Sequence, residues 1–316
     1  MTKLIGSAEF AGLVDAASGD LGIPPGDIEK DIWVVEVLRS IFRPIDGARV
    51  VFKGGTSLSK AYGLIERFSE DVDLLVVADA GLGGGQRERV LKTLPGRAAE
   101  DLGIETKKEG ESDRGVHRAE RLHYEAVYPD TGRVASSVLL EMGIRGGSEP
   151  AEVREIRSYA AGWAIRTGKA VEDDFDEFTP VEVVALRPER TLIEKLGILH
   201  HLATTYPASA PKVPAAGRHV YDVYRLLGDP GVQSALAQEQ FSARIAQDAE
   251  RWSAENKWPY SPRPAGGFAE SPAFRSGTQA ASALASALDQ ARTLVWGVMP
   301  GYDEVLQRIR AATQRL

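Results

Sequence analysis

Two aspartates set two residues apart, Asp71 and Asp73, follow a glycine turn, Gly54-Gly55, that has the Thr56 and Ser57 hydroxyls directly behind it. In Asp71-Val72-Asp73-Leu74 charged and apolar residues alternate, and alternation along a strand sends both carboxylates to one face. Carboxylates crowded on one face repel each other, and a hard divalent cation such as Mg²⁺ relieves that repulsion. Glycines let a backbone approach an anion closely, and N–H groups at a helix start, with nearby hydroxyls, then bond its oxygens. Pair and turn together point to a metal ion and a phosphate. An isolated D-x-D is more often a solvated strand face, so the turn upstream is what raises the reading. A P-loop is excluded, because Lys53 precedes the glycines and no G-x-x-x-x-G-K-[ST] occurs.

The elements that must position these residues can be read around them. Val50, Val51 and Phe52 form a β-branched and aromatic run that Gly54-Gly55 breaks where a helix can begin, and Asp71 to Val77 reads as the next strand. Residues 1–42 read as helical, interrupted at Pro24-Pro25-Gly26, with Asp27 as an N-cap. Ile28, Ile32, Val35 and Leu38 recur at helical spacing to cover the sheet, while Lys30 and Asp31 are expected to face solvent. Gly81 to Gly85 reads as a flexible connector before a helix from about Arg87 to Leu102. Strands are expected at Ile104 to Lys108 and Leu122 to Tyr128. A turn over Pro129-Asp130-Thr131-Gly132 then leads to a long strand from Arg133 to Ile144. Val181 to Leu186 reads as one more strand, and Pro188 opens a helix with an apolar stripe at Leu192, Leu196, Leu199 and Ala203.

Three charged residues in these elements need partners. Glu141 interrupts the apolar run from Val138 to Ile144, so it either has a partner or metal, or sits at an edge facing water. Lys195 lies at the edge of its helix stripe and either snorkels outward or reaches inward as a point charge. In Arg218-His219-Val220-Tyr221-Asp222, Arg218 and Asp222 are spaced for a surface i,i+4 ion pair, with Val220, Val223, Tyr224 and Leu227 on the core side. His219 reads as a satisfied structural residue, and the proline-rich stretch from Trp258 to Phe268 as a loop anchored by its own aromatics.

The chain has 316 residues, 43% of them hydrophobic and 26% charged, which is material for one large or two modest cores, and two lobes are expected. With no cysteine, disulfides and thiolate metal sites are ruled out and a reducing compartment is allowed. No apolar run approaches a membrane span and no signal peptide is evident, so a cytoplasmic protein without membrane contact is expected. A net charge of −7 argues against a surface coated for nonspecific nucleic-acid binding. The basic sets Lys107, Lys108, Arg114, Arg118 and Arg121, and Arg154, Arg157, Arg166 and Lys169, read as scattered surface charge.

The strings Lys53-Gly54-Gly55-Thr56-Ser57-Leu58-Ser59-Lys60 and Arg67-Phe68-Ser69-Glu70-Asp71-Val72-Asp73-Leu74 resemble the AbiEii/AbiGii nucleotidyltransferase toxins, a family that includes the mycobacterial MenT toxins. The stretch Ile28 to Val34, the lysine helix and the R-H-x-Y-D segment extend the resemblance. The interval from Gly55 to Asp71 is longer than in many small-molecule nucleotidyltransferases and suits the toxin branch. The resemblance implies an α/β nucleotidyltransferase fold with a small mixed β-sheet over residues 1–187 and a mainly helical C-terminal domain over 188–316. It implies one or two Mg²⁺ ions on Asp71, Asp73 and Glu141, and a nucleoside triphosphate bound by Lys53, Gly54, Gly55, Thr56, Ser57 and Lys195. Asp222 is expected to orient Lys195 or the nucleotide. The implied acceptor is the 3′ end of tRNA, whose extension blocks aminoacylation, and the implied partner is a cognate AbiEi-like antitoxin. Two other functions fit the residues: transfer to a small-molecule or protein hydroxyl, and a catalytically silent nucleotide- or antitoxin-binding module. Ser69 stands two residues before Asp71, so its phosphorylation is expected to add charge where the triphosphate binds; undiminished transfer by Ser69→Asp would argue against this.

Overall fold

The computed structural model describes residues 2–69, 71–128, 135–238, 240–256 and 259–316. The expected turn at 129–132 and the first residues of the strand expected from Arg133 lie outside the described residues, as do Lys257 and Trp258. The chain divides into two compact units, one formed by Met1–Ala61 with Phe68–Ala185, the other by Tyr62–Arg67 with Leu186–Leu316.

The first unit is built on a seven-stranded mixed sheet. Its helices are α1 (Phe10–Leu21), α2 (Pro25–Ile41), α3 (Gly54–Lys60), α4 (Gly84–Leu102) and α5 (Tyr159–Arg166). Its strands are β1 (Ala48–Lys53), β2 (Asp71–Ala78), β3 (Glu105–Asp113), β4 (His117–His123), β5 (Ser137–Gly143), β6 (Ala151–Ile156) and β7 (Val181–Leu186). They lie in the order β3-β4-β5-β2-β1-β7-β6. Antiparallel β1–β2 and parallel β2–β5 pairing put β2 at the middle, where Val72, Leu74 and Val76 are buried and Asp71 and Asp73 alternate with them.

Several elements differ from expectation. Asp27 is not the N-cap of α2: Pro24 holds that position, Pro25 opens the helix, and Asp27 lies buried in the first turn. Lys30 and Asp31 do not face solvent; both are buried, because α2 is enclosed by α1, α4, α5 and β5 and has almost no outer face. The strand expected at Leu122 to Tyr128 is displaced to His117–His123. Beyond it the chain leaves the ladder, and the N–H groups of Val127 and Tyr128 donate to the Glu29 carboxylate at 2.8 and 2.9 Å. β6 was not expected at all, since Ala-Glu-Val-Arg-Glu-Ile carries too little apolar character to announce a strand.

The second unit is helical: α6 (Pro188–Thr204), α7 (Val213–Gly228), α8 (Pro230–Leu236), α9 (Phe241–Asn256), α10 (Gln279–Gln290) and α11 (Tyr302–Ala311). α7 packs against α6, α10 and α11. Gly217 allows its closest approach to α10, where an added Cβ would stand 2.0 Å from the Ala287 carbonyl oxygen. The segment Tyr62–Arg67 is stapled to this unit. The Glu66 N–H donates to the Tyr221 hydroxyl at 3.2 Å, and Arg225 bonds the Glu66 carboxylate at 2.5 Å. Among the described residues, no helix is long and apolar enough to cross a membrane.

Candidate active site

In the first unit the site is built where β1 ends. Gly54 adopts φ +74, a conformation that L side chains rarely take, and a Cβ there would lie 1.9 Å from Asp73 Oδ2. The glycine therefore serves both the turn and its close fit against the aspartate. α3 follows with Gly55, Thr56 and Ser57 buried in its first turns. The Thr56 hydroxyl donates to the Asp71 carbonyl oxygen, tying α3 to the start of β2. Thr56 thus positions the turn. Ser57 is 1% exposed and its hydroxyl has no hydrogen-bond partner among the described residues. An orphaned buried hydroxyl is costly, and a phosphate oxygen would satisfy it.

Strand register sets the neighbours of the aspartates. Asp73 pairs with Lys53 on β1 and with Glu141 on β5, while Asp71 pairs with Leu139. Lys53, Asp73 and Glu141 therefore form a row across three strands on one face. The described residues contain no group of three acidic, histidine or cysteine side chains placed to hold a metal ion, so Asp71, Asp73 and Glu141 do not form a closed three-carboxylate centre. A Mg²⁺ ion does not require one. It is commonly held by one or two carboxylates together with substrate phosphates, and Asp71 and Asp73 beside the glycine turn fit that donor set. Ser69 lies partly exposed ahead of β2.

The far end of α3 is locked by a cluster that sequence reading missed. Lys60 Nζ contacts Asp31 Oδ1 at 2.5 Å and lies 3.5 Å from the centre of the Tyr159 ring. The other Asp31 oxygen accepts from the Tyr159 N–H at 2.5 Å. Burial raises the Asp31 carboxyl above its ordinary pKa, against the pull of Lys60, and burial likewise lowers the Lys60 ammonium. The pair fastens α3 to α2 and α5.

The second unit holds the remaining candidates. Asp222 is 0% exposed, accepts a two-pronged bond from Arg67 at 2.7 and 2.7 Å, and contacts Lys195 Nζ at 2.9 Å. Burial alone would raise the Asp222 pKa, but Arg67 and then Lys195 outweigh it and hold the carboxyl well below the usual range. Asp222 is thus buried against Arg67 and Lys195, the second of which is the residue the resemblance had it orient. Lys195 is 5% exposed and does not snorkel outward. Its ammonium also meets His219 Nδ1 at 3.3 Å. Burial and the Lys195 charge depress the His219 pKa strongly, so the imidazole is neutral and accepts from the ammonium. Arg67 had no assigned role in the sequence; its proximity to Asp222, 155 residues later, is visible only in the fold.

The basic sets do not form a uniform patch. Arg118 is paired with Glu88 and Glu120, and Arg121 with Glu109.

A family profile described as "Nucleotidyl transferase AbiEii toxin, Type IV TA system" matches residues 36–308. No curated protein matches the chain significantly. Among solved structures, the nucleotidyltransferase toxin MenT4 of Mycobacterium tuberculosis H37Rv is similar, at 18% identity and a TM-score of 0.49, over 99% of this chain and 92% of that one.

Proposed function

Since this chain belongs to the AbiEii nucleotidyltransferase toxin family of type IV toxin–antitoxin systems, we propose that it transfers a nucleoside monophosphate from a nucleoside triphosphate to the 3′ end of tRNA, blocking aminoacylation and translation. The observation that carries this reading is the Gly54 turn packed against Asp73, with Asp71 on the same strand face and the Ser57 hydroxyl left over beside them.

The terminal hydroxyl of the acceptor attacks the α-phosphorus and passes its proton to solvent water. A new P–O bond forms, the bond from the α-phosphorus to the bridging oxygen breaks, and pyrophosphate leaves. Gly54, Gly55 and Ser57 bond the β- and γ-phosphate oxygens, and Lys53, in register with Asp73, adds a positive charge. Asp71 and Asp73 would hold Mg²⁺, with Glu141 on the adjacent strand beside Asp73, and the ion would supply Lewis-acid neutralisation of phosphate charge there. Lys195 neutralises charge on the departing pyrophosphate. Asp222 positions its ammonium and Arg67 keeps Asp222 ionised. The partner implied by the family is an antitoxin, which we assign to the AbiEi-like class, and the site of action is the cytoplasm.

The test is incubation of the purified chain with each radiolabelled nucleoside triphosphate, bulk tRNA and Mg²⁺. Label on the tRNA 3′ end, lost on chelation and in Asp71→Ala, is the expected result. Absence of label with all four triphosphates overturns the reading, and label on protein or small molecules alone moves the acceptor to another class. Growth arrest retained in full by Asp71→Ala would point to a non-catalytic binding module.

A further inference from the structure

The helical unit contains a cavity of about 460 Å³ that none of the chemistry above uses. Ile193, Ile198 and Leu202 of α6, Ile245 of α9, and Phe268 are among its apolar lining. A volume of this size, lined by apolar groups with a few polar ones, is typical of sites for small organic ligands.

Gly197 also lines the cavity. It sits in the interior of α6, where glycine costs helix stability relative to alanine. Neither backbone nor packing calls for it: its φ is not left-handed, and an added Cβ would meet nothing within 4 Å. A side chain at this position would enter the cavity. The helix forgoes stability there and the space stays open.

The charges around the cavity define the ligand. Glu194 lines it, but its carboxylate is bonded by Arg190 at 2.9 Å, which also binds Asp248 at 2.7 Å. Asp248 in turn pairs with Arg251. Two arginines thus balance the two carboxylates, and among the described residues Lys212 is the lining cation for which no ion pair is found. His201 and Ser253 add hydrogen-bonding groups, with His201 Nδ1 engaged by the Ser261 hydroxyl at 3.0 Å. We propose that this cavity is a binding site for an amphipathic organic anion, with an apolar body between α6 and α9 and a single acidic head at Lys212.

The test uses the full chain with 8-anilinonaphthalene-1-sulfonate as a fluorescent probe and octanoate and octanol as competitors. Saturable one-site fluorescence is expected, displaced by octanoate in preference to octanol. Gly197→Leu should weaken probe binding about tenfold by occupying the cavity, with a thermal midpoint no lower than that of the parent, which separates plugging from unfolding. Lys212→Gln should weaken octanoate several-fold and leave octanol unchanged. Absence of saturable binding, or unaltered binding by a folded Gly197→Leu, overturns the site. Equal affinity for octanoate and octanol, insensitive to Lys212→Gln, overturns the anionic head.

Discussion

Gly54→Ala isolates the contact on which the proposed chemistry rests. The new Cβ would start 1.9 Å from Asp73 Oδ2, while ordinary contact begins at 3.4 Å. Either the carboxylate or the turn must therefore retreat by about 1.5 Å. Holding alanine in a left-handed conformation costs a further ~1–2 kcal/mol, so the thermal midpoint should fall by only a few degrees in a unit of this size. Function should suffer much more. A misplacement of about 1 Å at reacting groups costs on the order of 10²-fold in rate, and here the displaced group is one of the two proposed metal ligands. The assay is initial-rate transfer of labelled nucleotide at saturating triphosphate, beside circular dichroism and thermal melting of the same preparations. Gly96→Ala is the control: it lies exposed in α4, its Cβ meets nothing within 4 Å, and it should keep full activity and melt no lower. A folded Gly54→Ala with a rate within about threefold of the parent would refute the argument that the turn sets the position of Asp73.

Two further outcomes follow from the buried charges. Asp222→Asn leaves the Arg67 and Lys195 cations buried without a carboxylate, so denaturant unfolding should show a loss of about 3–5 kcal/mol. The folded-state pKa of Asp222 is depressed, so its contribution is complete above the ordinary aspartate value of about 3.9 and is lost as pH falls further. The variant should accordingly show a flatter stability profile below that pH, and an unchanged acid limb would refute the assignment. Lys60→Met alone strands the buried Asp31 carboxylate and should destabilise by a similar amount, about 3–5 kcal/mol, whereas Asp31→Leu with Lys60→Met should recover most of it. If the pair also holds α3 in place, the double variant will fold and still show a raised KM for the triphosphate. A parental KM would make the pair purely structural.

Local patterns in the chain determined a large part of the arrangement. The β-branched run, the glycine break and the two-residue alternation locate β1, the start of α3, and Asp71 and Asp73 on one face of β2, because each signal is complete within a few residues. Apolar spacing likewise placed α6 and α7. Charged side chains were legible only as candidates, because their environment depends on residues far along the chain. Asp31 reads as solvent-facing until Lys60 and Tyr159 are brought against it. Asp222 is legible as a partner of Arg218 or of Lys195, and only the fold brings Arg67 to its oxygens. Glu141 was placed beside Asp73 by the parallel pairing of β2 and β5, a register that no local pattern encodes. Sequence alone thus determined which residues could do the chemistry. Only tertiary structure decided which charges are buried and by what they are held, because a buried ion is stabilised by partners that the fold, not the neighbouring sequence, supplies.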